Sequence, residues 1–344
     1  MSAMIGEAPA FWWQDRNWRA YALAPVGFLY GRVARARMQR GARRAVDRPV
    51  LCVGNFTVGG SGKTPTVLAL AQTALDLGLT PGILSRGYGG CLAGPVIVDA
   101  DRHRASDVGD EPLLHAGVAT TCVAKDRPAG AEHLIAHGVD FIIMDDGFQS
   151  ARLKYDLALL VIDARRALGN GAVLPAGPVR APVADQIRHA SALLRMGTGT
   201  GADPVVRLME RAGKPTHDGR LVPLARTDLK AIACLAYTGI GDPGKFFLTL
   251  GSIGADVQER RTFRDHHDYD ESDAQELLAT AAAKDLRLVT TAKDHVRLAR
   301  QTGALAQLAM HSDVVEIRLC FDDPGVPARL IEQTIDRCRQ RRMS

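Results

Sequence analysis

The chain has 344 residues, 46% hydrophobic and 24% charged, with a formal net charge of +5. That composition is ordinary for a soluble globular protein able to bury real cores, and at roughly 150 residues per domain there is room for two. Six scattered cysteines (Cys52, Cys91, Cys122, Cys234, Cys320, Cys338) form no Cys-x-x-Cys pair, which argues against a zinc ribbon or disulfide framework and fits a reducing compartment.

The N-terminus lacks the basic region, apolar run and small-residue cleavage site of a secretory signal. It carries all three tryptophans, Trp12, Trp13 and Trp18, beside Phe11, Tyr21, Phe28 and Tyr30. The uncharged run 20–30 contains Pro25 and is too short to span a bilayer, which takes about 20 apolar residues. Arg32, Arg35, Arg37, Arg40, Arg43, Arg44 and Arg48 follow, against the single acid Asp47. Aromatic rings ahead of an arginine row suit the membrane interface, where each arginine near anionic lipid adds about 1 kcal/mol. Residues 1–45 are therefore expected to form an amphipathic, membrane-associated segment. No RNA- or DNA-binding motif accompanies the arginines, so nucleic acid is not an expected partner.

From residue 46 to 195, apolar runs alternate with helix-like segments. Strands are expected at 49–55, 82–88, 118–124, 139–146 and 156–163, with helices near 65–78 and 127–137. This is the pattern of a parallel sheet covered on both faces. Residues 164–182, rich in Gly, Pro and Arg, read as a functional loop, and 197–222 as a linker. A second, smaller α/β domain is expected over 196–344: strands at 231–241, 286–294 and 314–320, helices near 243–251, 272–283 and 327–340. The fold class is thus α/β, two α/β/α domains with a cleft between them, the first a P-loop NTPase-like parallel sheet.

The stretch "NFTVGGSGKTPT" follows the first strand. A P-loop needs backbone N–H groups facing phosphates at a helix N-terminus, a lysine to reach them and a hydroxyl for magnesium. Thr57, Val58, Gly59, Gly60, Ser61, Gly62, Lys63 and Thr64 supply these, with Thr57 where the usual pattern has its first glycine; Gly59 and Gly60 can provide the turn instead. The partner motif is "FIIMDDGFQ". Asp145 and Asp146 end a strand as adjacent carboxylates, a costly arrangement without a cation nearby. These residues are expected to form a nucleotide site with a variant loop that works with Mg2+.

"GNFTVGGSGKTP", "SRGYGG", "DVGDEP", "DDGFQ", "ARRALGNGAVLPAGPVRAP", "TGIGDPGKFF", "RDHH" and "TTAKD" occur in this order. Together they resemble the tetraacyldisaccharide 4′-kinase family, the lipid A 4′-kinases of Gram-negative bacteria, over about residues 25–300. That family also has threonine at the Thr57 position. The resemblance implies transfer of the ATP γ-phosphate to the 4′-hydroxyl of tetraacyldisaccharide 1-phosphate, giving lipid IVA. It places the chain peripherally at the cytoplasmic face of the inner membrane, with a monomer favoured. It further implies Asp110 as general base, oriented by His266, and Lys63 and Thr64 handling phosphates and magnesium. Asp145, Asp146 and Glu111 would complete the metal shell. Arg127, Arg165 or Arg166 would steady phosphate charge, and Gln149 would touch substrate or phosphate. His267 varies in the family, and Ser150 stands where many members have histidine.

A P-loop GTPase or metallochaperone is the alternative. It would need an N/T-K-x-D stretch to select guanine, but in "TAKDH" Lys293 and Asp294 are adjacent without the spacer, and a metal carrier's Cys or His cluster is missing. A non-catalytic membrane ATPase would leave Asp110 and His266 without a role.

Overall fold

Runs such as "LALLVID", apolar without alternation, form strands buried on both faces; all seven of those residues are buried. The computed structural model describes residues 8–41, 43–150, 152–224 and 228–344. Residues 1–7 and Ala42 of the expected N-terminal segment lie outside the described residues. A short 3-10 turn (Ala10–Trp13) precedes α1 (Trp18–Arg40). Then come β1 (Val50–Asn55), α2 (Lys63–Asp76), β2 (Pro81–Ser85), β3 (Val96–Ile97), α3 (Ala105–Val108), α4 (Asp110–Ala116) and β4 (Thr120–Val123). The first series continues with α5 (Arg127–Ala136), β5 (Phe141–Asp145), β6 (Leu157–Asp163), α6 (Val183–His189), β7 (Ala192–Met196), α7 (Asp203–Arg211) and β8 (Thr216–Pro223). The second contains β9 (Ala233–Thr238), α8 (Pro243–Ser252), β10 (Asp256–Thr262), α9 (Glu271–Ala283), β11 (Arg287–Thr291), α10 (Ala292–Leu298), α11 (Gly303–His311) and β12 (Ser312–Val315). The chain closes with β13 (Ile317–Phe321) and α12 (Val326–Met343).

The large sheet has the order β13-β8-β7-β6-β1-β5-β2-β4-β3. Its strands pair in parallel except at the two edges, where β13 and β3 run antiparallel to their neighbours. β1 lies between β5 and β6, with Val53 opposite Asp145 and Asn55 opposite Val161. Asn55, Asp145 and Asp163 therefore end neighbouring strands at the carboxyl edge, where parallel α/β sheets bind ligands. Separate apolar clusters fill the two faces, one around Cys52, Met144 and Leu160, the other around Val53, Val67 and Ile143. The smaller sheet, β10-β9-β11-β12, is wholly parallel.

The expected boundary at residue 196 does not match the sheets. The 197–222 stretch, expected as a linker, holds α7 and most of β8, and β8 pairs with β7 in the large sheet. Strand β8 is half-exposed, and its sequence "THDGRLVP" alternates poorly, which hides it from pattern reading. The single strand expected at 314–320 is two: β12 completes the small sheet, and β13 crosses back to pair with β8. Helix α12 then packs on α2, β1 and β6, burying Leu330 and Ile331 in the large sheet's core. The second unit is thus an insertion between β8 and β13.

Candidate active site

Gly62 caps α2 with φ 93°, and a Cβ there would lie 2.9 Å from Met196 Cε, so both backbone and space call for glycine. The turn delivers Lys63 and Thr64 as the first two residues of α2, beside its unpaired N–H groups. Thr57 explains the missing glycine: it bridges Val179 in extended pairing, and its carbonyl accepts from Arg180 Nε at 3.1 Å. No left-handed backbone is required there. The Val58 N–H donates to Pro178 O at 2.9 Å, and Ser61 Oγ accepts from Asn55 Nδ2 at 3.0 Å. The 164–182 loop therefore fastens the P-loop in place.

Asp145 is buried at the end of β5, and its Oδ1 has no hydrogen-bond partner among the described residues. Burial and the neighbouring Glu111 charge push its carboxyl up to about 7. Asp146 behaves oppositely. Against its burial, Arg180, Lys63 and Arg127 hold it well below the usual range; Arg180 Nη1 lies 3.1 Å from Oδ2 and Lys63 Nζ 3.8 Å from Oδ1. Thr64 Oγ1 donates to Glu111 Oε1 at 3.1 Å. Burial would raise Glu111, but Lys293 and Lys63 bring it down to about 2. These groups fit a magnesium ion, which keeps several waters and takes one or two carboxylates beside substrate phosphates. Asp145 offers an unpartnered buried oxygen, and Thr64 and Glu111 lie together. No closed cluster of three His, Cys, Asp or Glu side chains occurs among the described residues.

Facing them, Gly109 precedes α4 with φ 91°, and a Cβ there would lie 2.4 Å from Tyr88 O. The "SRGYGG" and "DVGDEP" loops meet at this point and set Asp110 in the first turn of α4. Asp110 Oδ2 lies 3.0 Å from His266 Nδ1 and accepts from Arg297 Nη2 at 2.6 Å and Nε at 2.9 Å. Burial is outweighed by Lys293, His266 and Arg297, which hold this carboxyl well below the usual range. His266, with φ 56°, packs edge-to-face with Tyr88, 5.2 Å between centroids. Lys293, the second residue of α10, donates to Glu111 Oε1 at 3.2 Å and lies 3.4 Å from His266 Nε2. Behind them, buried Asp294 accepts from Thr238, the Gly239 N–H, Tyr269, Thr291 and Arg297. Lys63, Thr64, Glu111, Arg180, His266 and Lys293 line one cavity of about 2700 Å³ that reaches Leu23, Tyr30 and Val33 of α1.

The other expected site residues separate into distinct places. Arg127 is buried and donates to Leu84 O and Asp145 O, at 3.0 and 2.9 Å, tying together the ends of β2 and β5. Gln149 donates to Asn55 O and Gln186 Oε1, bracing the end of β1. Arg165 is exposed. Arg166 crosses to the second unit, bonding Gly241 O and pairing with Asp242 at 3.1 Å, with its guanidinium over the Trp13 ring. His267 binds Asp273 at 2.7 Å and stacks on Phe263 within its own unit. Arg180, Lys293 and Arg297 were not expected as site residues, although Arg180 and Lys293 lie in motifs quoted for the resemblance, "GPVRAP" and "TTAKD".

A family model described as tetraacyldisaccharide-1-P 4′-kinase matches residues 19–335. The tetraacyldisaccharide 4′-kinase of Sinorhizobium fredii is 52% identical over 340 residues, covering 99% of this chain and 98% of that one. Its counterpart in Rhizobium meliloti is 50% identical with the same coverage. The crystal structure of an "apo" form of LpxK from Aquifex aeolicus in complex with ATP superposes with a TM-score of 0.70 at 25% identity, covering 92% of this chain and 99% of that one. With the P-loop, the paired aspartates and the cross-unit Asp110–His266 contact inside a match of this length, the chain belongs to the tetraacyldisaccharide-1-P 4′-kinase family.

Proposed function

We propose that the protein transfers the γ-phosphoryl group of ATP to the 4′-hydroxyl of tetraacyldisaccharide 1-phosphate, giving lipid IVA and ADP at the cytoplasmic face of the inner membrane. One observation carries this reading. Thr64, Glu111, Lys293 and His266, which line one cavity, form with buried Asp110 an unbroken chain of polar contacts from the P-loop to a carboxylate–imidazole pair. A group held at the P-loop and a hydroxyl held at His266 face the same space.

Lys63 and the N–H groups at the start of α2 bind the phosphates. Arg180 keeps Asp146 ionised and anchors the loop through Thr57 O. Thr64, Asp145, Asp146 and Glu111 would hold a magnesium ion, which would supply positive charge to offset that developing on the phosphates. A sugar hydroxyl stays protonated at neutral pH, so its proton must be taken as the new P–O bond forms and the bond to the β-phosphate oxygen breaks. His266 lines the cavity and accepts that proton at Nε2, the nitrogen not held by Asp110. Asp110 is buried and already holds Arg297, so it acts on His266, fixing the ring through Nδ1. This exchanges the roles expected for the two residues.

The guanine-switch alternative has no support, because Asp294, the acid that would read the base, is fully buried and bonded within its own unit. For the acceptor's acyl chains, α1 exposes Trp18, Tyr21, Phe28 and Leu29, a contiguous apolar face of the kind that lies in a membrane interface. No helix among the described residues is long and apolar enough to cross a membrane.

The test is a kinase assay with γ-labelled ATP, magnesium and detergent-dispersed tetraacyldisaccharide 1-phosphate, run beside Lys63→Ala. Label should enter the lipid with the wild type and not with the variant. Label released only as inorganic phosphate by the wild type would overturn the assignment.

A further inference from the structure

The reaction moves a phosphoryl group across a gap between two units of the chain, and the charge in that gap is unevenly committed. On the P-loop side, Lys63 and Arg180 both face Asp146. From the second unit, Arg297 is buried and spent on Asp110 and Asp294, to which it donates through three of its nitrogens. Arg166 and Lys245 pair with Asp242 and Asp163 at the cleft's far side. Lys293 differs from all of these. Its side chain is 21% exposed, it lines the cavity, and among the described residues it makes one contact each to Glu111 Oε1, at 3.2 Å, and His266 Nε2, at 3.4 Å.

Those two contacts place it at the crossing point. Glu111 Oε1 is the same oxygen that accepts from Thr64 Oγ1, so one residue separates the Lys293 ammonium from the P-loop hydroxyl, and His266 separates it from Asp110. Anything passing from the P-loop to a hydroxyl at His266 travels beside Nζ. A lysine also suits a moving phosphoryl group, because it is a compact charge with three rotatable donors on a flexible stem, whereas the fixed forks of Arg297 and Arg166 serve to hold carboxylates. The residue sits at the second position of α10, where Thr291 caps the helix by accepting the Asp294 N–H. Asp294 is itself locked by Thr238, Gly239 and Tyr269. The base of the lysine is therefore rigid and its tip free to change partners.

We propose that Lys293 is a catalytic cation supplied by the second unit, which leaves Glu111 to grip the γ-phosphoryl group of ATP and stabilises the charge on its oxygens during transfer. This rests on the reading of the site as an ATP-dependent kinase and adds the residue that senses the terminal phosphate. The role is that of a cationic finger, provided here within one chain. Such groups contribute about 10³–10⁵ in rate. Because ADP lacks the group Lys293 grips, nucleotide binding separates this role from a structural one.

Two variants test it, Lys293→Ala and the volume-conserving Lys293→Met, each checked by circular dichroism and thermal melting. ADP affinity should stay at the wild-type value, affinity for a non-hydrolysable ATP analogue should fall about tenfold, and kcat for lipid phosphorylation should fall by about 10³-fold or more. Equal weakening of ADP and the ATP analogue, or unchanged affinity for both, would overturn the proposal and leave Lys293 as a cross-unit ion pair. The binding measurements need no acceptor. They therefore judge Lys293 even if the wild type failed to label the lipid, an outcome that would count against the kinase assignment instead.

Discussion

Asp110 is surrounded by Arg297, His266 and Lys293, and a carboxylate that favours its charged form so strongly has little basicity left. In the proposed mechanism its value lies in direction: by holding His266 Nδ1 it leaves Nε2, on the Lys293 side, as the nitrogen that takes the proton. Two residues working this way act as a unit, and units are non-additive. Asp110→Asn and His266→Ala should each lower kcat by about 10²–10⁴-fold with the KM for ATP unchanged, and the double variant should be no slower than the worse single one. Steady-state kinetics on the three proteins decide this. Multiplying losses would mean that the residues serve separate steps. Arg297→Ala belongs in the same series, since it frees Asp110 without touching the cavity.

Helix α4 is one short element with three titratable groups that meet different fates. Asp110 and Glu111 occupy its first turn, where the helix dipole favours negative charge. His115 lies at its far end, fully buried, with neither ring nitrogen hydrogen-bonded to a described residue. Burial dominates over the nearby carboxylates and pulls its pKa down to about 4. The folded state then binds the proton less readily than the unfolded chain, so His115 costs stability as pH falls from about 6.5 toward 4, by roughly 3 kcal/mol in full. Between pH 7.5 and 5 the wild type should lose about 2 kcal/mol more unfolding free energy than His115→Leu, measured by urea denaturation; parallel losses would clear His115. The same helix shows what the sequence could disclose. "DVGDEP" marks Asp110 and Glu111 because a glycine, a turn and two acids are local signals. The P-loop and the Asp145–Asp146 strand end were legible for the same reason. Arg180 was not, since it sits in the 164–182 loop while its partner Asp146 lies just past the end of β5, and only the fold joins them. Lys293 and Arg297 meet α4 from more than 180 residues away, on a helix taken for the end of a strand. Strand β8 and the β12–β13 break escaped for a further reason: half-exposed strands at or next to a sheet edge lack the unbroken apolar run that exposes a buried one.

At the scale of the whole molecule, the 164–182 loop joins the nucleotide site to the N-terminal helix. Val179 and Arg180 hold the P-loop. Pro175 O accepts from Trp12 Nε1 at 3.0 Å, and Arg166 covers Trp13. Of the three tryptophans expected at a membrane interface, two therefore dock on the protein, and Trp18, 73% exposed, faces outward. The outward face continues through Tyr21, Phe28, Leu29 and Val33, with Arg19 over Trp18 and Arg32 over Phe28. The arginine row is likewise divided: Arg35 and Arg44 pair with Asp185 and Glu132, whereas Arg32 is exposed beside the apolar face. Because one loop supports both helix and P-loop, the proposed membrane contact would set a lipid surface under α1 at a fixed distance from Lys63, and the cavity that opens beside Leu23 and Tyr30 would then receive an acceptor whose chains remain in the membrane. Phe28→Asp with Leu29→Asp should therefore reduce co-sedimentation with phosphatidylglycerol-containing vesicles and raise the KM for acceptor presented in them, while ATP affinity and thermal stability hold. Added salt should weaken wild-type binding only in part, since burial of the aromatic face survives screening. Undiminished sedimentation of the double variant would move the membrane contact away from α1 and break the link between that helix and the nucleotide site.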